Sequence, residues 1–245
     1  MIKAVLFDMD ETLLDINLEA FLISYQAKLD QILSDISGIP AYKLAIPMTK
    51  AYLALSDKNR QDKLTNAQLF NKVIFDETGI PLDDPYVADA IAYFETSILP
   101  QCNNALIHGK PKSGARLCVN KAKDLGLKVG LATNPTFSKN CIECRMKWGE
   151  IDTYEMDHIT YMENSRRLKP STLYFQQTAQ ALGLRPEECL MVGNDPKRDI
   201  CMSDIGMKTA YVGRGKPRSA FWCGSMNDLA QQLEDIIGKI DALGK

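Results

Sequence analysis

Histidine is almost missing from this chain: 245 residues carry two, His108 and His158. Neither stands at a zinc-ligand spacing, and the one CxxC, in "NCIECRM", has no second pair to join it. That argues against a structural zinc site. No apolar run approaches the roughly 18 residues that a membrane span needs, so no membrane partner is expected. Basic residues are not in excess. With 29 Lys and Arg against 31 Asp and Glu the net charge is −2, which gives no basic footprint for nucleic acid. The opening "MIKAVLF" lacks the long apolar region and small-residue cleavage site of a signal peptide, so none is expected. Seven cysteines, an odd number scattered along the chain, read as reduced thiols of a cytoplasmic protein. A metal or redox role for Cys141 and Cys144 is set aside. On a helix, residues at i and i+3 simply share a face, and a lone short motif is weak evidence. No repeat or low-complexity tract interrupts the chain.

What is present is a change of character along the sequence. Residues 1–15 read as a buried strand and a loop. Residues 16–104 read as helical throughout. "NLEAFLISYQAKLDQILSDISG" has helical apolar spacing and ends at Gly38 before Pro40. Thr65 with Gln68 three residues on is a capping-box signature. Asp84 and Pro85 suit the N-cap and first position of another helix. Beyond residue 105, helices alternate with the strands "KVGLAT", "CLMVG" and "KTAYVG", apolar runs of the kind that burial on both faces requires. The expected fold is α/β, with a Rossmann-like parallel sheet core over 1–15 and 105–245. An all-helical block of about 90 residues is too long for a loop, so residues 16–104 are expected to form an inserted helical cap domain.

Open α/β sheets bind ligands beyond the carboxyl ends of their strands. The first strand ends in Asp8-Met9-Asp10-Glu11-Thr12. "KVGLAT" ends in Thr133-Asn134, and "CLMVG" in Asn194-Asp195, with Asp199 a turn later. Lys169 lies in a basic loop between them. Side chains at i and i+2 of an extended segment share a face, so Asp8 and Asp10 disfavour each other's ionisation unless a cation compensates. Singly, these residues read as helix caps or solvated loop charges. Together, at strand ends, they read as a site.

These motifs resemble those of the haloacid dehalogenase-like (HAD) hydrolases. "DMDETLL" is similar to that family's first motif, DxDx[TV]. Thr133 fits its second motif, Lys169 its third, and "GNDPKRD" its acidic fourth, in the family's order. The resemblance implies a helical C1 cap and Mg²⁺-dependent hydrolysis of a small phosphomonoester. Asp8 would be the nucleophile forming an aspartyl-phosphate, and Asp10 the general acid and base. Thr133 and Lys169 would stabilise the phosphoryl oxygens. The backbone at Met9 and Asp10, together with Thr12 and Asn134, would complete the substrate loop. Asp8, the main-chain carbonyl of Asp10 and the acidic loop would hold Mg²⁺. In that loop either Asn194 or Asp195 takes the metal position, with a lean to Asp195, and Asp199 binds through water or orients Lys169. Glu11, where glycine is frequent in the family, is expected to point out of the pocket. Asn17 is placed where it could reach the pocket. Arg166 and Arg167 are read as surface charges rather than contacts to an anionic leaving group. A phosphomutase and an inactive HAD-fold binding protein are the alternatives.

Overall fold

A computed structural model describes residues 1–201 and 203–243. The chain opens with β1 (Ala4–Phe7), in which every side chain is buried. β2 (Leu14–Asp15) follows and pairs antiparallel with β3 (Lys110–Pro111), so the two ends of the helical stretch meet in a small ribbon. Between them run α1 (Leu18–Ser37), α2 (Ala41–Ser56), α3 (Asn66–Thr78) and α4 (Pro85–Tyr93). α4 continues into a π turn at Phe94–Ile98 and a 3-10 turn at Leu99–Cys102. The remainder alternates: α5 (Ala115–Asp124), β4 (Lys128–Leu131), α6 (Lys139–Trp148), β5 (His158–Ile159), α7 (Thr172–Ala181), β6 (Cys189–Gly193), β7 (Lys208–Val212), β8 (Trp222–Gly224) and α8 (Met226–Leu243). Among the described residues no helix is long and apolar enough to cross a membrane.

Six of these strands form one parallel sheet in the order β5-β4-β1-β6-β7-β8. Alternation along β1 sends Val5 and Phe7 to the face that also buries Val129, Leu131, Leu190 and Val192 with residues of α5, α6 and α8. Ala4 and Leu6 go to the other face, with Met191 and with Tyr174, Phe175 and Ala179 of α7. Helices on both faces explain the continuous apolar runs of the central strands. The order makes β1 the switch point: the chain runs outward from it through β4 to β5 on one side and through β6 to β8 on the other. Phe7 is level with Leu131 and Val192, so β1, β4 and β6 end together. Ligand-binding crevices form at such a place.

The caps in the helical stretch follow local chemistry. Gly38 adopts φ 73° to close α1, and Thr65 and Gln68 form a reciprocal capping box on α3. The stretch is not helical throughout. Residues 57–65 run without helix, and buried Arg60 organises them through bonds to Asp62 (3.0 Å) and Asn66 (2.9 Å). Pro47 lies inside α2, where it removes one ladder hydrogen bond. Packing continues from sheet to helices: Phe21 and Tyr25 of α1 meet Phe137 edge-on at ring distances of 5.5 and 5.2 Å.

Candidate active site

Three strand ends converge on a cavity of about 140 Å³ bordered by Asp8, Asp10, Asn134, Lys169, Asn194 and Asp199 among others. Asp8 leaves β1 with its N–H donating to the Val192 carbonyl (2.9 Å), which fixes its position against β6. Lys169, its side chain 1% exposed, donates from Nζ to Asp8 Oδ1 and Asp199 Oδ1, each at 2.7 Å. The loop bearing Lys169 is seated by its own N–H, which donates to Asn134 Oδ1 (3.1 Å). Asp199 also accepts from the Asp195 N–H (3.0 Å). Gly193 makes room for it: a Cβ there would stand 2.3 Å from Asp199 Oδ2. Thr12, wholly buried, offers one hydroxyl to Asp8 Oδ2 (3.3 Å) and Asn194 Oδ1 (3.4 Å), so those two oxygens flank one point. Thr133 is buried, and its carbonyl accepts from Tyr174 Oη (2.7 Å) and Thr160 Oγ1 (2.9 Å).

Electrostatics match this crowding. Burial lifts the Asp8 carboxyl above the usual range; Lys169 pulls it down, but Asp199 and Asp10 push it up again. Burial alone would lower the Lys169 ammonium, yet Asp8 and Asp199 outweigh it and hold the group charged. Among the described residues no three His, Cys, Asp or Glu side chains cluster as a ready metal cage. Asp8, Asp10, Asn194, Asp195 and Asp199 border the cavity and supply oxygen donors of the kind a hard cation takes.

A family model described as haloacid dehalogenase-like hydrolase matches residues 2–202, most of the chain. The chain belongs to the haloacid dehalogenase-like hydrolases. A relative, the glyceraldehyde 3-phosphate phosphatase of Pyrococcus abyssi, is 26% identical over 222 residues, covering 88% of this chain and 83% of the relative. The pyrophosphatase PpaX of Bacillus cereus is 29% identical over 126 residues, 48% of this chain and 57% of that protein. That match thus spans little more than half the relative's length. In structure, a HAD phosphatase from Thermococcus onnurineus superposes with a TM-score of 0.57 at 19% identity, covering 97% of this chain and 98% of that one. At that identity the likeness shows the HAD fold.

The other residues singled out in the sequence have these surroundings on the HAD scaffold. The Met9 side chain is fully buried in the core, and its carbonyl gathers the N–H groups of Thr12, Leu13 and Leu14 to shape the first loop. Asp195 caps its own turn, accepting from the N–H groups of Lys197 (2.8 Å) and Arg198 (3.2 Å) and lying 3.6 Å from the Arg198 guanidinium. Glu11 has φ 58°, the left-handed region that favours glycine. It borders the cavity, but its carboxylate is tied to the Ile16 N–H (3.1 Å) and Lys112 Nζ (2.7 Å). Asn17 is the N-cap of α1, bonded to the Ala20 N–H (3.1 Å), and Leu18 borders the cavity in its place. Arg167 is not a surface charge; it donates to the carbonyls of Arg60 (2.8 Å) and Asp62 (3.0 Å) and so ties the helical segment to the Lys169 loop. Arg166 is exposed. Cys141 and Cys144 are buried and unpaired, and burial pushes both thiols up, Cys144 to about 12.

One residue in contact with Asp10 carries no motif. Arg145 of α6 donates from Nη2 to Asp10 Oδ1, with its side chain 1% exposed. It shares a helix face with buried Cys141, four residues back. A charge on the apolar stripe of an amphipathic helix was the available signal, because such a charge needs a buried partner.

Proposed function

We propose that the chain is a phosphomonoester hydrolase, and that the observation carrying this is the Asp8–Lys169–Asp199 bridge at the same cavity as Asp10. Asp8 attacks phosphorus to form an aspartyl-phosphate while Asp10 gives its proton to the departing alkoxide. Asp10 then takes a proton from water as that water attacks the intermediate, which frees phosphate and restores Asp8. Lys169 and Thr133 face the phosphoryl oxygens, and the Met9 and Asp10 backbone completes the loop around them. Their names make two relatives phosphate-cleaving enzymes, which supports the reading.

The oxygen-only donor set suits Mg²⁺ rather than a softer metal. Asp8, the Asp10 carbonyl and Asn194 would hold it, because Thr12 draws Asp8 and Asn194 to one point while Asp195 is spent on its own turn. When bound, the ion would offset repulsion between phosphate and the carboxylates. Residues 16–104 act as the cap, and 1–15 with 105–245 as the catalytic core. A cavity of about 490 Å³ between them shares Asn134, Lys169 and Arg198 with the catalytic cavity and adds Lys58, so it suits the leaving group of a small, anionic metabolite. Seven unpaired cysteines fit a reducing, cytoplasmic setting.

The test is phosphate release from an aryl phosphate with Mg²⁺ or with EDTA, beside Asp8→Asn. Metal-dependent release that the variant loses is expected. Release that persists in a folded Asp8→Asn protein would refute the mechanism.

A further inference from the structure

Arg145 is the largest fully buried side chain that no motif of the family explains. A guanidinium carries five N–H donors and a charge, and burying it unmatched is expensive. Here one donor goes to Asp10, and Nε has no hydrogen-bond partner. Two ring faces supply the rest of its environment. The guanidinium carbon lies 4.6 Å from the centre of Phe21 and 5.2 Å from that of Phe137. Phe21 belongs to α1 of the helical segment, and Phe137 to the loop after β4. The helix carrying Arg145 is clamped to the same segment a second time. Ser138, its N-cap, donates to Glu95 Oε2 (2.6 Å), and Glu95 Oε1 accepts from Tyr25 Oη (2.6 Å). Tyr25 in turn packs edge-on against Phe137.

We propose that Arg145 is a positioning residue for Asp10, and that it couples seating of the helical segment to the acid–base step. The proposal rests on the reading of Asp10 as acid and base. Asp10 Oδ1 is held by Arg145, while Oδ2 makes no hydrogen bond among the described residues and stays free to exchange the proton. A carboxylate that moves protons must stand within hydrogen-bond reach of the leaving oxygen, and a misplacement of about 1 Å costs on the order of 10²-fold. Arg145 can hold that position only while Phe21 covers it. A segment lifted from the core would remove one face of the sandwich and release Asp10.

The experiment compares kcat/KM, which reports enzyme phosphorylation, for p-nitrophenyl phosphate and glycerol phosphate. Nitrophenolate leaves without a proton; an alkoxide does not. Wild type is set beside Arg145→Met, Arg145→Lys, Phe21→Leu, Asp10→Asn and the Asp10→Asn/Arg145→Met pair. Arg145→Met is expected to lose roughly 10²-fold on the alkyl ester and only a few-fold on the aryl ester. Phe21→Leu should show a smaller loss with the same bias, and the double variant should match Asp10→Asn alone. If Arg145→Met does not fold, Arg145→Lys and Phe21→Leu carry the comparison. Equal losses on both esters, with Asp10→Asn still biased, would make Arg145 mere scaffolding and overturn the proposal. An unbiased Asp10→Asn would instead remove the acid–base reading and the proposal with it.

Discussion

Lys169→Met removes the one cation between two buried carboxylates, and its cost can be worked out from the site. Removing one partner of a buried ion pair costs about 3–5 kcal/mol. For a chain of this size each kcal/mol moves Tm by about 2–4 °C, so a fall of roughly 10 °C is expected. The pH dependence is more telling. Asp8 has its folded pKa raised from 3.8 to about 7, so the stability tied to it is complete below about pH 4 and is lost as pH rises toward 7. Lys169 is the charge that pulls this value down. Without it the folded value moves further up. The variant then keeps losing stability past pH 7, where the wild type has levelled off. One extra bound proton is worth about 1.4 kcal/mol per pH unit, so the deficit should widen by about 2 kcal/mol between pH 7 and 8.5. Urea unfolding in EDTA at pH 6, 7 and 8.5 measures it. A deficit below about 1 kcal/mol, or one indifferent to pH, would refute the account of Lys169 as the compensating charge.

Mg²⁺ and a proton compete for Asp8, so metal affinity should rise about tenfold per pH unit below pH 7, with proton release on binding, read by calorimetry in two buffers. Gly193→Ala would press a Cβ to 2.3 Å from Asp199 Oδ2, and activity should fall roughly 10–100-fold while circular dichroism stays native. Asn66→Ala strands the Pro135 carbonyl and one Arg60 donor, Nη1, in the interior, and urea unfolding should show a loss of about 1–3 kcal/mol. In native protein at pH 8, thiol labelling should reach the half-buried Cys102, Cys201 and Cys223 well before buried Cys118, Cys141, Cys144 and Cys189, with all seven labelled in urea.

Much of this molecule is legible in its sequence where local chemistry and function agree. β1, β4, β6 and β7 announce themselves as apolar runs because helices cover both faces of the sheet. α1 and α3 announce themselves through Gly38 and the Thr65–Gln68 box. β5 and β8 do not. They are two- and three-residue edge strands, His158–Ile159 and Trp222–Gly224, too short to show a period. α2 is obscured because Pro47 breaks the pattern from within, where tertiary packing overrides propensity.

The site divides along the same line. Asp8, Asp10 and Asp199 are legible because they follow strand ends where acids are unusual, and Lys169 because it lies in the basic loop between those strands. Arg145 is not, because its meaning is wholly tertiary. In "CIECRMKW" it reads as one more cation on a helix that also bears Lys139 and Lys147. Only the placement of α6 against Phe21 and Asp10 turns it inward. The same holds for Arg167, which reads as a loop charge but binds carbonyls of a segment more than 100 residues away in sequence. Both arginines join the helical segment to the loops of the candidate site. A sequence scan registers motifs whose proposed phosphoryl chemistry restricts residue type and spacing. Residues that tie those motifs to the helical segment face no such restriction. Any donor that reaches across the interface serves, so they have to be found in three dimensions.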